Sequence, residues 1–239
     1  MNIDTFHALK TGTIDGHARR VVPLGTLRVP SGRLEASDPF VNLGEGVVIA
    51  IPPGDYPAAV TIVDVSDEQD GSHLRESHLS VILAEGLPVR VAGLMPEGAT
   101  RPPAEDEAPG VPVDAGTVGF ADADAIPRCM PEDDWYDGVF DTGQDGSWFA
   151  LMDDENHYID GSANIVFPLA QAGENVVLAH SGWGDGFYPV VGTYDAAGRL
   201  LAVHIDLQLV DGEDDDDEDE AEPEPEQKPG FWGRLFGRG

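Results

Sequence analysis

Four charged side chains stand in glycine- or proline-marked segments, where a chain turns sharply enough to present a polar group: Arg33, Asp38, Asp114 and Asp185. Arg33 and Asp38 lie in Gly25-Thr-Leu-Arg-Val-Pro-Ser-Gly-Arg-Leu-Glu-Ala-Ser-Asp-Pro39. Asp114 lies in Val113-Asp-Ala-Gly-Thr-Val-Gly-Phe-Ala-Asp122, and Asp185 in Ser181-Gly-Trp-Gly-Asp-Gly-Phe-Tyr-Pro189. An aspartate in such a loop either accepts N–H groups from its own turn or points into a site. If the four converge at one end of the fold, Arg33 pairs with one carboxylate and the others serve a hydrolase-like reaction or a small ligand. If the carboxylates gather without the arginine, Ca²⁺ or Mg²⁺ becomes the natural occupant. No cofactor is otherwise called for.

Other motifs fail on spacing. Asp141-Thr-Gly-Gln-Asp-Gly-Ser147 has the first, fifth and sixth residues of a calcium loop, but Gly143 and Met152 occupy positions where ligands belong. It reads as a tight turn. Ala179-His-Ser-Gly-Trp183 is not a nucleophile elbow. Gly182, Gly184 and Gly186 precede a strand pattern rather than a helix, so they do not make a dinucleotide loop. They are expected to use positive φ to turn the chain. The single cysteine, Cys129, excludes an internal disulfide and a cysteine-based zinc cluster. The seven histidines show no paired ligand spacing.

The order of these segments, with Gly54-Asp-Tyr-Pro57 between the first two, resembles bacterial domain-of-unknown-function family 4241. Ser181–Pro189 is the most specific part, and the similarity runs over about residues 20–207. The resemblance implies a soluble, mainly-β bacterial domain. It implies no reaction.

The elements that must hold these loops read as strands. Leu201, Val203, Ile205, Leu207 and Leu209 alternate with small or polar residues, which predicts a strand with one buried face. Tyr188–Tyr194 precedes it across Asp195-Ala-Ala-Gly198, a hairpin. Further strands are expected at 47–51, 58–65, 77–84, 89–94, 113–120, 148–151, 164–167 and 175–180. The segment 67–72 reads as a hairpin loop, and the Pro-rich 96–112 as a surface loop or a hinge. Helix is expected only near Asp4–Lys10, near Ala121–Ala125 and in the tail. The fold class is therefore mainly β, an antiparallel sandwich or open barrel with few short helices.

Charge divides the chain further. Against 45 acids stand 13 lysines and arginines, giving −32. That disfavours nucleic acid as a partner, since affinity for it comes from cations on phosphates. Residues 1–210, read as the globular domain, retain −23. Residues 211–228 carry twelve carboxylates and read as a disordered acidic linker. Residues 229–239 place Phe231, Trp232, Leu235 and Phe236 on one face of a short amphipathic helix, with Arg234 beside them. This tip fits a partner's groove or weak contact with a membrane surface. With no signal-like start and no long apolar run, a cytoplasmic setting is expected. Two classes of function follow. One is a non-enzymatic interaction protein, for example of immunity type, whose acidic surface meets an unidentified basic protein. The other is the hydrolase-like enzyme, or small-ligand or metal binder, built on Arg33, Asp38, Asp114 and Asp185. Convergence of those four in one pocket favours the second class; dispersal favours the first.

Overall fold

In the computed structural model, which describes residues 1–132 and 134–209, two antiparallel sheets pack face to face. The first sheet orders its strands β1 (Gly12–Ile14), β2 (His17–Val29), β5 (Gly54–Asp64), β6 (Leu74–Ile82), β13 (Leu200–Asp206), β12 (Gly186–Tyr194) and β7 (Arg90–Gly93). β8 (Gly110–Val113) adds to the same edge, pairing with the first residues of β12. The second sheet runs β10 (Ser162–Val166), β11 (Asn175–His180), β9 (Thr117–Asp122), β3 (Arg33–Ser37) and β4 (Val47–Ala50). The mainly-β, antiparallel two-sheet reading is what the structure shows, with three short helical segments.

The two-residue period decides the layers. Val60, Ile62, Leu79, Val81, Val203 and Ile205 face inward from the first sheet and meet Leu34, Val118, Phe120 and Val177 from the second. The other face of the second sheet is also covered. Leu178, Ile165 and Ala163 pack under Trp148, Phe140 and Ile126 of the helical segments. The outer face of the first sheet is covered in part by the N-terminal segment, through Phe6. β13 consequently buries both faces: His204 and Ala202 are as enclosed as Val203 and Ile205, against the expectation of one buried face.

Several local expectations change. The run 148–151 is not a strand but α2 (Trp148–Met152), because Ser147 caps it by accepting from the Ala150 N–H. A short apolar run has no period of its own, so the cap decides. Asp4–Lys10 forms turns rather than a helix, and Ala121 belongs to β9. The helix near there is α1 (Ile126–Cys129), with proline in its first turn. A single π turn, Tyr136–Phe140, was not expected. The segment 113–120 is two strands, β8 and β9, separated by a loop at 114–116. The β12–β13 and β5–β6 hairpins stand as read. No helix among the described residues is long and apolar enough to cross a membrane. The acidic linker and the tip, with Phe231, Trp232, Arg234, Leu235 and Phe236, lie outside the described residues.

Candidate functional site

The polar centre of the molecule is made by an irregularity in β6. Its ladder with β5 pairs Ile62 with Glu76 and Thr61 with His78, leaving Ser77 as the extra residue of a β-bulge. Without that residue in excess, Glu76 and His78 would share a face. With it, Glu76 joins Ile62 on the face between the sheets, and His78 turns to the outside under Phe6. A carboxylate is thereby carried to the end of the sandwich core, and Glu76 is 8% exposed.

A cavity of about 600 Å³ opens at this point. The first sheet contributes Arg20, Ile62, Arg75 and Glu76; the loop after α2 contributes Glu155, Ile159 and Asp160. His180, at the end of β11, and the loop Ser181–Gly184 complete it. Gly161 brings two of the lining side chains close. A methyl group there would lie 2.6 Å from His180 Nδ1 and 2.9 Å from Glu76 Oε1, so both side chains pack directly against a residue that has none. Gly161 also takes φ +82°, where glycine is favoured. A groove of about 870 Å³ lies against the N-terminal segment; its lining is chiefly apolar, with Asp4, Lys10, Glu85 and His204 among it.

Hydrogen bonds fix the loop that walls the cavity. Ser181 Oγ and the Tyr188 hydroxyl both donate to the Gly184 carbonyl, at 2.6 and 2.8 Å. The Ser181 N–H donates to the Gly116 carbonyl at 2.9 Å. Gly182 sits against the backbone of Glu76, where a Cβ would come within 2.8 Å of the Glu76 carbonyl oxygen. Gly182 and Gly184 have positive φ as expected, whereas Gly186 is the first residue of β12 and does not. Trp183 stands 57% exposed at the rim. The Arg75 guanidinium lies 5.5 Å from its ring centroid and the His73 ring 5.8 Å away.

Burial dominates the electrostatics. It pushes the Glu76 carboxyl up to about 7, with the nearby charge of Asp160 adding to the rise and Arg75 opposing it. His180 is lowered for the same first reason, against the pull of Asp160 and Asp153. A carboxyl titrating near neutrality is a competent proton donor and acceptor. Among the described residues Glu76 has no ion pair, and no other residue hydrogen-bonds its carboxyl; the one bond on it is from its own N–H. No three or more His, Cys, Asp or Glu side chains among the described residues are grouped to hold a metal ion.

The four residues singled out by sequence do not form one cluster. Arg33 begins β3 and pairs with Glu97 at 2.8 Å and with Asp124, tying two loops together at the far end of the strand from Asp38. Asp38 is fully buried. It accepts from the N–H groups of Asp114 and Ala115 at 3.0 and 2.8 Å and from the Thr117 hydroxyl at 2.7 Å. Its role is to hold the 114–116 loop, and through Gly116 the Ser181 loop, as the wall of the cavity. Asp114 and Asp185 are exposed on those two adjoining loops. Asp38, Asp114 and Asp185 therefore belong to the loops of the wall and Arg33 does not, while Glu76, Asp160 and His180 hold the ionisable chemistry. Sequence reasoning missed Glu76 because it falls one residue before the strand expected at 77–84. The available signal was Arg75-Glu76-Ser77-His78, three ionisable residues in four positions.

A family model described as protein of unknown function (DUF4241) matches residues 27–205, so the chain belongs to that family. The matched span includes β6, the Ser181 loop and nearly all of the cavity lining. No curated protein and no solved structure matches.

Proposed function

We propose that this DUF4241 family member works through the cavity at the end of its sandwich, binding a small polar ligand against Glu76 as a proton-exchanging group. One observation carries the reading: a carboxyl more than nine-tenths buried, with no partner side chain among the described residues, opens into a cavity large enough for a small molecule. Asp160 and His180 supply further polar contacts, and Trp183 offers a flat apolar rim. Hydrolase-like chemistry and simple binding both use such a group; the proton held near neutrality is common to them. The test is a carbon-detected NMR titration of the glutamate carboxyls, with Glu76→Gln identifying the resonance. A midpoint near 7 is expected. A midpoint in the ordinary carboxylate range would remove the reading.

A second reading rests on different residues. Trp183 on the Gly-rich loop and Phe187 at the start of β12 are 57% and 60% exposed, on a body carrying −23. Such a surface suits an unidentified basic protein partner in a bacterial cytoplasm, and the tip at 229–239 would add a groove or membrane contact. Capture with the full chain and with a chain ending at residue 226, at two salt concentrations, separates the body's contribution from the tip's. Salt-sensitive capture by both forms supports the body; loss only on truncation supports the tip.

A further inference from the structure

We infer that the ligand of this cavity carries a cationic nitrogen, a guanidinium or an ammonium group, that pairs with the ionised Glu76 carboxylate beneath Trp183. The inference rests on the cavity reading and names its ligand class.

A buried carboxyl without a partner is costly to ionise, and it keeps its proton until something replaces the lost solvation. Glu76 is in that state: it is 8% exposed, and among the described residues its only hydrogen bond is internal. Gly161, lacking a side chain, lets Glu76 Oε1 and His180 Nδ1 both pack close to its backbone, and both residues line the cavity. An N–H donor entering the cavity meets the Glu76 carboxylate there, with His180 in the same wall.

The charges around the cavity agree. Its ionisable lining is Arg20, Arg75, Glu76, Glu155, Asp160 and His180. The Arg75 guanidinium is already occupied with the Trp183 ring and the Leu74 carbonyl, the latter at 3.1 Å. Burial favours neutral His180. Once Glu76 ionises, three carboxylates face two arginines, inside a body of −23 that draws cations toward its surface. An anionic ligand would have to enter against the same field and would leave Glu76 unpaired.

The same chemistry has two sources, a free small molecule and an arginine or lysine side chain of a basic protein. Calorimetry with methylguanidinium, with the peptide Gly-Arg-Gly and with inorganic phosphate tells them apart. Methylguanidinium is expected to bind the full chain, with affinity rising about tenfold per pH unit between pH 5 and 6, because binding requires loss of the Glu76 proton. The charged and titratable groups that face Glu76 are Arg20, Arg75, Glu155, Asp160 and His180, burial favouring the neutral form of His180, and the Glu76→Gln variant assigns the slope. Glu76→Gln should abolish both the binding and the slope, and Asp160→Asn should weaken binding several-fold while keeping the slope. Tighter binding of the peptide than of methylguanidinium assigns the group to a protein side chain; equal or weaker binding assigns it to a small molecule. Phosphate binding without cation binding, silence from all three probes, or cation binding unchanged in Glu76→Gln overturns the inference. If Glu76 still titrates near 7 in those cases, the cavity reading survives; an ordinary Glu76 midpoint removes both.

Discussion

Glu76 and His78 stand two positions apart on one strand, and the bulge at Ser77 sends them into opposite environments. His78 enters a closed region. Its Nδ1 meets Ser77 Oγ at 3.0 Å, and Phe6 covers it edge-on at 4.9 Å. His204 beside it is held between Ser80 and Thr193 at 2.8 and 3.0 Å, under the same Phe6 ring at 5.2 Å. Burial forces both imidazoles down to about 3, so they are neutral, hydrogen-bonded core residues. Glu76 enters an open region. It is nearly as buried, but its carboxyl has no partner side chain among the described residues and faces a cavity. Shifted ionisation is thus common to both regions and does not distinguish them. What distinguishes them is whether the polar group is satisfied.

The closed region should respond most to loss of its cover. Phe6→Ala is expected to cost about 3 kcal/mol, as for removal of a buried aromatic ring. It should also change the acid limb of stability. In the native protein both histidines titrate far below their ordinary 6.5. The unfolded chain therefore binds protons first, and stability falls as pH drops below 6.5 toward 3. Water admitted by Phe6→Ala should raise both values and flatten that slope. Denaturant unfolding at pH 7 and pH 5 measures both effects, and an unchanged slope would show that Phe6 does not close this region.

The open region should respond in the opposite sense. Glu76 keeps its proton in the native state up to about 7, whereas the unfolded chain loses it near 4.5. Between those values the native state binds more protons, so stability falls as pH rises and the deficit is complete above 7. Replacement by a neutral isostere removes the deficit. Glu76→Gln should match the native protein at pH 4 and exceed it by up to about 3 kcal/mol at pH 8. A variant less stable at pH 8 would mean that the carboxylate is satisfied after all, and the contrast with His78 would disappear.

Much of this contrast was out of reach of the sequence. The strands at 47–51, 58–65, 164–167 and 175–180 were legible because alternating or β-branched apolar runs ended at turn residues. The Gly-rich loop was legible because Ser181–Pro189 has an unusual density of glycine, and it does wall the cavity. Two physical facts were hidden. The bulge depends on how β6 registers against β5, and register is a property of two strands together. The exposure of Asp185 and the burial of Asp38 depend on which loops meet at the end of the sandwich, which local sequence does not encode. Trp148 misled for a simpler reason: five apolar residues fit a strand or a helix equally until the serine cap is considered.

Asp185 gives the smallest expected effect and the sharpest check on how far the open region extends. It stands in the most distinctive segment of the chain, yet it is exposed, and no hydrogen bond or ion pair to its carboxylate is found among the described residues. The turn around it is held instead by Ser181 and Tyr188 on the Gly184 carbonyl and by the positive φ of Gly182 and Gly184. Asp185→Asn should therefore change stability by less than about 0.5 kcal/mol, a melting shift of roughly 1–2 °C. The Glu76 midpoint should not move, since burial and Asp160 set it. A large melting loss would return Asp185 to a turn-forming role. A fall in methylguanidinium affinity at unchanged stability would extend the open region along the loop to the outer rim, where Asp185 would act on the ligand's approach rather than on its seat.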